Sequence, residues 1–174
     1  MSALTLPATP RPSIAACCTC PTPLGPLLLA ATAQGLGGAW FEGQKHAPTL
    51  TGRWPEDPGH PVLREARAQL AAYFERRLAH FELPLDLQAG TDFQRSVWQA
   101  LCALPHGATT SYGELARRVA RPAAVRAVAA AIGRNPVSIV VPCHRVIGAG
   151  GALTGYAGGL DRKTALLRLE GVLH

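Results

Sequence analysis

No run of apolar residues in this sequence approaches the roughly 20 that a helix needs to cross a bilayer. Residues 1–18 also lack the basic start and the uninterrupted apolar core of a secretory signal, because prolines break the segment three times. We therefore expect no membrane partner and interpret residues 1–12 as a flexible tail. Apolar residues make up 48% of the 174 positions and charged residues 16%, so a folded core is expected rather than disorder.

The regular cysteine spacing of a small disulfide-stabilised domain is lacking too. The chain has five cysteines, an odd number; Cys17, Cys18 and Cys20 cluster, whereas Cys102 and Cys143 stand alone. This usage suits free thiols in a reducing compartment, so we expect a cytoplasmic protein.

Acidic residues are scarce in the second half of the chain. Residues 1–90 contain seven basic and seven acidic residues, whereas residues 91–174 contain ten basic and four acidic ones, so the whole net charge of +6 lies there. A basic half attached to a neutral half indicates a polyanionic partner such as nucleic acid. A generally basic soluble protein is the alternative that charge alone leaves open.

The first half predicts a small α+β lobe. Three strand-like runs, SIAACCTC, GPLLLAAT and GLGGAWFEG, are separated by turn signals. A helix is predicted next, over residues 61–78, with one apolar face made of Val62, Ala66, Leu70, Phe74 and Leu78. The segment FELPLDL predicts a further strand or an extended connector. We place the boundary within residues 84–91 and assign residues 1–88 to the first lobe and 89–174 to the second.

Capping signals mark the predicted helices of the second lobe. Thr91 and Gln94 have the spacing of a capping box, and Ser111 and Glu114 repeat it before YGELARRVA. The helix after Thr91 is expected to turn five residues toward the core: Phe93, Val97, Trp98, Leu101 and Cys102.

A third helix, PAAVRAVAAAIG, is predicted to begin at Pro122, where proline is tolerated in the first turn. With a turn of three to four residues before it, it completes a helix-turn-helix. The helix is almost all alanine between Ala123 and Ala131, and Arg126 is its one charged residue. Because alanine is the best helix former, a packing helix is one interpretation. A smooth face that approaches DNA closely is the other.

The segment NPVSIVVPCHRVIG predicts a short buried strand at residues 139–141, ended by Pro142 and followed at once by Cys143 and His144. A lone cysteine near a buried strand is usually a small hydrophobic residue, and neighbours on a strand face opposite sides. A thiol that is activated through a histidine and a carboxylate is instead a nucleophile. Glu170, at the end of the last predicted helix, offers that carboxylate.

This segment resembles the O6-alkylguanine-DNA alkyltransferase family, as do GYAGGLDRKTALLRLEG, FQRSVWQALCALPHGATTSYGELA and PAAVRAVAAAIGRNP. The resemblance runs from about residue 91 to residue 171 and is greatest to stand-alone bacterial members; the first lobe matches only in outline, through TPLGPLLLAAT. It implies an α+β fold of two lobes, a small ribonuclease-H-like lobe and a mainly helical one. It also implies direct-reversal DNA repair, in which the protein irreversibly takes one alkyl group from O6-alkylguanine. Whether O4-alkylthymine is accepted stays open.

The resemblance implies a role for each matching residue of the site. Cys143 would accept the alkyl group, His144 would pass its proton along through a bridging water, and Glu170 would hold the imidazole. Asn135 would link the helix-turn-helix to the site. Tyr112 would lie against the flipped base and donate to the departing guanine.

The resemblance also implies how DNA is bound. Arg126 would fill the gap left by the flipped nucleotide, and the alanine helix would lie in the minor groove of double-stranded DNA. The backbone carbonyls of Cys143 and Val146 would accept from the guanine amine, and Tyr156 would be the aromatic wall of a lid at residues 155–159. The other residues expected at the substrate or DNA are Ser111, Ala127, Ala129, Ala157 and Gly158. We expect a monomer that needs no cofactor.

Two departures from the family pattern concern the lid and a zinc site. Many members have serine where this chain has Ala157, so only the backbone N–H there could contact the substrate. Some relatives bind zinc in the first lobe, but the corresponding positions are Thr32 and Gly37. The three clustered cysteines match no common zinc spacing with His46 or His60. We therefore predict no metal.

Two rival hypotheses remain at this stage. One is a non-catalytic helix-turn-helix protein that binds DNA or senses damage; sensors of that type lack the acceptor cysteine, which is present here. The other is a cysteine hydrolase with Cys143 and His144 as nucleophile and base. Hydrolases bring the base from a distant position and need an oxyanion hole, whereas this histidine is the next residue.

Overall fold

The computed structural model describes residues 12–49 and 54–174. The tail predicted for residues 1–12 therefore lies, apart from residue 12, outside the described residues. In the part of the chain that is described, no helix is long and apolar enough to span a membrane.

The first lobe contains the three predicted strands as one antiparallel sheet. The strands β1 (Ala16–Cys20), β2 (Leu27–Ala31) and β3 (Leu36–Phe41) lie in the order β1-β2-β3. The turn between β1 and β2 is closed by the Thr22 hydroxyl, which donates to the Gly25 carbonyl at 2.6 Å. The segment at residues 81–87 forms a connector with a single bridge between Leu36 and Leu85, rather than a strand.

The helix α1 (Pro61–Phe74) packs on this sheet through a face that keeps Ala66 and Leu70 of the predicted one but has different residues at its ends. Its buried residues are Leu63, Ala66, Leu70 and Tyr73. Val62 and Phe74 are only half-buried, and Leu78 lies beyond the end of the helix. The predicted and the observed face share their two central residues, and the periodicity does not say which flanking residues meet the sheet. The position of Tyr73 decides it, since its hydroxyl has a buried partner.

The second lobe has four helices and one short parallel strand pair. The helices are α2 (Asp92–Cys102), α3 (Tyr112–Arg118), α4 (Val125–Gly133) and α5 (Leu160–Leu169). The strand β4 (Thr110–Ser111) pairs with β5 (Val146–Ile147). α2 is fixed to α4 by the Trp98 indole, which donates to the Ala131 carbonyl at 2.8 Å. Cys102 is exposed because α2 ends there, so its predicted core position is wrong.

The predicted capping box of α2 is confirmed, whereas only one of the two hydrogen bonds predicted for α3 is formed. Thr91 accepts from the Gln94 N–H, and the Gln94 side chain accepts from the Thr91 N–H. Ser111 accepts from the Glu114 N–H, but the Glu114 carboxylate binds Arg117 at 2.6 Å. The side chain of Glu114 is therefore engaged along α3 and does not reach back.

The helix α4 begins at Val125, three residues later than predicted. Residues 121–124 form a turn instead, closed by the Ala124 N–H donating to the Arg121 carbonyl at 2.9 Å. Pro122 sets the second position of this turn, and the residue before a proline avoids the helical conformation. Four residues separate the caps Val119 and Ala124, so the helix-turn-helix itself forms as expected.

The strand predicted at residues 139–141 is wrong. Val137 alone pairs with the sheet of the first lobe: the Ala39 N–H donates to the Pro136 carbonyl at 2.8 Å, and the Ser138 N–H donates to the Ala39 carbonyl at 3.0 Å. The chain then turns, with Ile139 at φ 72°, a strained value for a β-branched residue. The apolar residues 139–141 pack between the two lobes, and packing of this kind does not require a strand.

Candidate active site

A 3-10 turn of three residues, Cys143–Arg145, leads directly into β5. All three of its side chains are buried. Because the turn is helical, neighbouring side chains are not forced to opposite sides as they would be on a strand. Cys143 and His144 are therefore not held apart as neighbours on a strand would be.

Asn135 organises the segment that carries the thiol. Its Nδ2 donates to the Val141 carbonyl at 2.8 Å and to Cys143 Sγ at 3.1 Å, while its Oδ1 accepts from the Val137 N–H at 2.9 Å. The side chain is buried, so all three bonds are formed away from water. Asn135 thus fixes the turn and gives Sγ a donor that favours negative charge.

The resting thiol of Cys143 is neutral. Burial raises its pKa, and this effect outweighs the hydrogen bond from Asn135 and the positive charge of Lys163, which act in the opposite direction. Because the raised pKa disfavours the thiolate near pH 7, deprotonation has to accompany a reaction of this sulfur.

His144 is held in one tautomer by Glu170. Its Nε2 lies 2.8 Å from Glu170 Oε1, and an ionised carboxylate only accepts, so Nε2 carries the hydrogen. Burial lowers the pKa of His144 although Glu170 acts against it, and the imidazole is therefore neutral. Nδ1 is the free base of the ring: it is buried and has no partner among the described residues.

Glu170 binds two further residues that the sequence did not indicate. The Tyr73 hydroxyl donates to Oε1 at 2.8 Å, and Arg145 donates to Oε1 from Nη2 at 2.8 Å and to Oε2 from Nε at 2.9 Å. Burial alone would raise the pKa of this carboxyl, but hydrogen bonds from His144 and Arg145 hold it well below its usual range. Arg145 adjoins His144 in the sequence and could have been suspected; nothing marked Tyr73, which comes from the first lobe.

Lys163 is a fully buried cation on α5, which the sequence analysis also missed. Its Nζ donates to the carbonyls of Val146 at 2.5 Å, Gly155 at 3.1 Å and Thr154 at 3.2 Å. Three acceptors match the three N–H bonds of an ammonium group. A lysine on the same helical face as Glu170, within an apolar row, was the available signal.

Tyr112 begins α3 directly after β4 and is half-buried. Its hydroxyl donates to the Thr154 carbonyl at 2.8 Å. The parallel pairing of β4 with β5 places Tyr112 beside the residues that follow Ile147, and Tyr112 lines the same cleft as Cys143. The hydroxyl is thus engaged by the segment that precedes the predicted lid.

An open cleft of about 740 Å³ leads from the surface to Cys143. Six of the predicted site residues line it: Tyr112, Arg126, Ala129, Cys143, Tyr156 and Ala157. Four expected at the substrate or DNA do not: Ser111, Ala127, Val146 and Gly158. Gly158 packs against the ring of Tyr156, since an added Cβ would stand 2.8 Å from its Cε1. Arg126 is exposed and forms no ion pair with any described residue.

Comparisons with known proteins agree over both lobes. The model of the "6-O-methylguanine DNA methyltransferase, DNA binding domain" matches residues 92–172, and that of the corresponding "ribonuclease-like domain" matches residues 17–87. The methylated-DNA–protein-cysteine methyltransferase of Mycobacterium tuberculosis is 50% identical over 152 residues, which are 87% of this chain and 90% of that protein. The chain belongs to the 6-O-methylguanine DNA methyltransferase family.

Other members of this methyltransferase family support the assignment. The Methanosarcina acetivorans methylated-DNA–protein-cysteine methyltransferase is 49% identical over 86% of this chain and 94% of its own length. The crystal structure of Mycobacterium tuberculosis OGT in complex with DNA superposes with a TM-score of 0.81 at 48% identity, over 89% of this chain and 92% of that chain. The family resemblance and the α+β fold of two lobes predicted from the sequence are confirmed.

The zinc site of some relatives has no counterpart in the described residues of this methyltransferase family member. No group of three or more His, Cys, Asp or Glu side chains in the described ranges is placed to hold a metal ion. The Thr32 hydroxyl instead donates to the Asp86 carboxylate at 2.6 Å. The described cysteines are free thiols.

Proposed function

We propose that Cys143 accepts the alkyl group in the reaction of this family, with the surrounding residues in the roles given below. The family supplies the reaction class, which is direct reversal of O6-alkylguanine damage by transfer of the alkyl group to a protein cysteine. One observation carries the assignment: among the described cysteines, Cys143 alone lines the cleft and has a side-chain amide donating to its sulfur.

The proton of Cys143 would leave through His144. Nδ1 of His144 is buried without a partner among the described residues, which supports a bridging water between the sulfur and this nitrogen, because a buried acceptor without a partner is costly. As Sγ bonds to the alkyl carbon, the carbon–oxygen bond breaks and its electron pair passes to the purine. The product is a thioether without a good leaving group, so each protein molecule reacts once.

Tyr112 would donate to the departing guanine. Its hydroxyl is bound to the Thr154 carbonyl at 2.8 Å, so the donor must exchange this partner for the base. The Val146 carbonyl already accepts from Lys163, and the Cys143 carbonyl accepts from the Val146 N–H, which leaves each of these oxygens a second lone pair for the guanine amine. Ala157 would contribute its backbone N–H, as lining of the cleft.

DNA binding would follow from the helix-turn-helix and Arg126. The alkylated oxygen of a stacked base is out of reach of a buried thiol, so the nucleotide must be flipped into the cleft. The helix α4, which carries Ala127 and Ala129, would approach the minor groove, and Ser111 would contact the DNA backbone from the start of α3. The guanidinium of Arg126 lines the cleft and forms no ion pair with a described residue, which supports its role as the filler of the gap. We propose binding as a monomer.

The division of labour would follow the proposed boundary, with residues 89–174 carrying DNA binding and transfer and residues 1–88 supporting them. We also propose a cytoplasmic location, because the reaction consumes a free thiol and that compartment keeps thiols reduced.

Intact mass after incubation with excess duplex holding one O6-methylguanine tests the proposal. The protein should gain one methyl group, about 14 Da, on the peptide that contains Cys143. Cys143→Ser should gain none, while Cys102→Ser, which removes an exposed thiol, should react like the wild type. Repeated turnover, or a label on another cysteine, would contradict this function. The same assay with O4-methylthymine decides whether that base is also a substrate.

A further inference from the structure

We propose that the first lobe adds a phosphate contact for the damaged DNA strand at the mouth of the cleft. The contact is a cationic rim made of Lys45 and His46, from the loop after β3, and Arg134, the cap at the end of α4. This inference rests on the proposed function, because the phosphates concerned are those that flank a flipped nucleotide.

The rim residues share the cleft with the thiol. Lys45, His46 and Arg134 all line the cleft that leads to Cys143, and all three are exposed at its mouth. Arg126 lines the same cleft from α4. A strand over the cleft would therefore meet cations from both lobes.

The loop that carries Lys45 is held in place by buried hydrogen bonds. Gln44 is buried, and its Oε1 accepts from the Phe41 N–H at 3.0 Å and from the Ser138 hydroxyl at 3.0 Å. The Lys45 N–H donates to the Ala157 carbonyl at 3.0 Å, which fastens the loop to the predicted lid. The backbone that carries Lys45 is thus fixed relative to both the active-site segment and the lid.

The charges of the rim are not compensated within the described structure. No carboxylate is among the residues that line the cleft, and neither Lys45 nor Arg134 forms an ion pair with a described residue. By contrast, Arg95 and Arg117 are paired with acids on their own helices. Cations that crowd without a counter-charge repel one another, and a polyanion relieves that repulsion.

The titration of His46 agrees with this crowding. Partial removal from water and then the positive charges of Arg134 and Lys45 lower its pKa. The two cations are therefore close enough to affect the imidazole. A phosphate at the rim would act in the opposite direction, since a nearby anion favours the protonated ring.

The geometry of base flipping explains why a phosphate would lie there. A nucleotide that rotates into the cleft stays covalently joined to its two flanking phosphates, which remain outside. The mouth of the cleft, where the rim lies, is where they must pass. An anion-binding rim on the side of the first lobe would hold the strand in the flipped state.

The test is the salt dependence of binding to a duplex with one O6-methylguanine, measured in a Cys143→Ser background so that no transfer occurs. Loss of one phosphate contact lowers the slope of log K against log salt by about 0.9, which raises Kd about fivefold at 0.15 M salt. We expect this change for Lys45→Ala and for Arg134→Ala. The control is Arg64→Ala, which removes an exposed cation of the first lobe on α1, away from the cleft, and should change neither quantity.

A second measurement uses proteins that keep Cys143 and free O6-methylguanine as the substrate. The free base has no phosphate, so Lys45→Ala should react with it at the wild-type rate. Equal salt slopes for Lys45→Ala and Arg64→Ala would overturn the inference, as would a slower reaction with the free base. Absence of transfer from duplex to the wild type would refute the proposed function instead, and the binding slopes would still report on the rim.

Discussion

At the scale of single residues, the shared carboxylate of Glu170 sets the acid–base properties of the site. One oxygen, Oε1, accepts from His144, Arg145 and Tyr73. A guanidinium already balances the carboxylate charge, so less of that charge is available to stabilise an imidazolium. Glu170 therefore orients His144, while burial, with a smaller contribution from Arg145, keeps the imidazole neutral against the pull of that carboxylate.

The Tyr73 hydroxyl should influence the pKa of His144 through Glu170. Tyr73→Phe removes one donor from Glu170, which leaves more negative charge facing His144 and raises its pKa. The acid limb of the pH–rate profile should move to higher pH. The single-turnover rate should fall by about threefold to tenfold on duplex and free base alike, equivalent to roughly 1 kcal/mol.

The matched control for this prediction is Phe74→Leu on the same helix, since Phe74 packs edge-on against Tyr73 without touching the carboxylate. It disturbs packing but leaves the hydroxyl, so its pH–rate profile should keep the wild-type midpoint. If both variants shift the profile equally, Tyr73 acts through packing alone.

Arg126 could fill the gap left by the flipped nucleotide or simply contact a phosphate. These two roles predict different repair rates for its variants. Lysine keeps the charge but lacks the planar guanidinium. If Arg126 fills the vacated space, Arg126→Ala should slow repair of duplex by an order of magnitude or more, because flipping costs a few kcal/mol. Arg126→Lys should slow it less. Reaction with the free base should hardly change, and single-turnover rates on both substrates decide the matter.

Two results would contradict the role of Arg126 as the filler of the gap. Equal losses on duplex and free base would assign Arg126 to the fold. Unchanged rates on both would exclude it as the filler.

Residues of the site differed in how far the sequence revealed them. Cys143 and His144 were visible because their chemistry is local and their segment is continuous. Tyr73 was not, because its contact with Glu170 joins residues 97 positions apart and depends on which face of α1 meets the sheet. The position of Lys163 on the Glu170 face of α5 was readable from the sequence, but the three backbone carbonyls that bind its ammonium group were not.

At the scale of elements, the helix starts marked by side-chain caps were predictable, whereas the strand at residues 139–141 was not. The caps of α2 and α3 are satisfied by side chains three residues away, so spacing alone identified them. Residues 139–141 have the apolar composition of a buried strand, but the prolines that flank them prevent strand pairing. Pro136 and Pro142 flank the segment and lack the N–H groups that a ladder needs, and the lobes supply burial without pairing.

The two caps provide a matched pair of variants. Thr91→Ala and Ser111→Ala should each cost about 1 kcal/mol in the free energy of unfolding, because each removes an acceptor from a helix N-terminus. Only Ser111→Ala should also weaken duplex binding, since α3 begins the helix-turn-helix. Chemical denaturation and duplex titration of both variants measure the two effects. Unchanged duplex affinity in Ser111→Ala would restrict Ser111 to the cap.

At the scale of the whole molecule, the lobes are joined at the site itself. Tyr73 reaches Glu170 from α1, Ala39 pairs with Val137, and Gln44 binds the Ser138 hydroxyl at 3.0 Å. The sequence supported two lobes and their order, but the contacts between them are single bridges and side-chain bonds with no periodicity. The hydrogen bonds of the Glu170 carboxylate therefore join the two lobes and are also part of the proposed reaction centre.

The titration of His144 should make the stability of this junction depend on pH. Its pKa is lowered in the folded protein, mainly by burial, from an ordinary value near 6.5. Below that value the unfolded chain binds a proton that the folded protein does not, so stability is lost as pH falls. Between pH 7.0 and 5.5 the free energy of unfolding should drop by as much as about 1 kcal/mol. Glu170, whose pKa is depressed, adds a second loss at more acidic pH.

Urea titrations at pH 7.0 and 5.5 measure this difference, and two variants assign it. His46→Gln removes an exposed histidine whose pKa is also lowered, and it should keep most of the drop. His144→Gln should lose the drop whatever its absolute stability, because the group that takes up the proton on unfolding is gone. A wild type that is equally stable, or more stable, at pH 5.5 would mean that His144 is held as an imidazolium against Glu170. The neutral base that we assign to Nδ1 would then be absent from the resting protein.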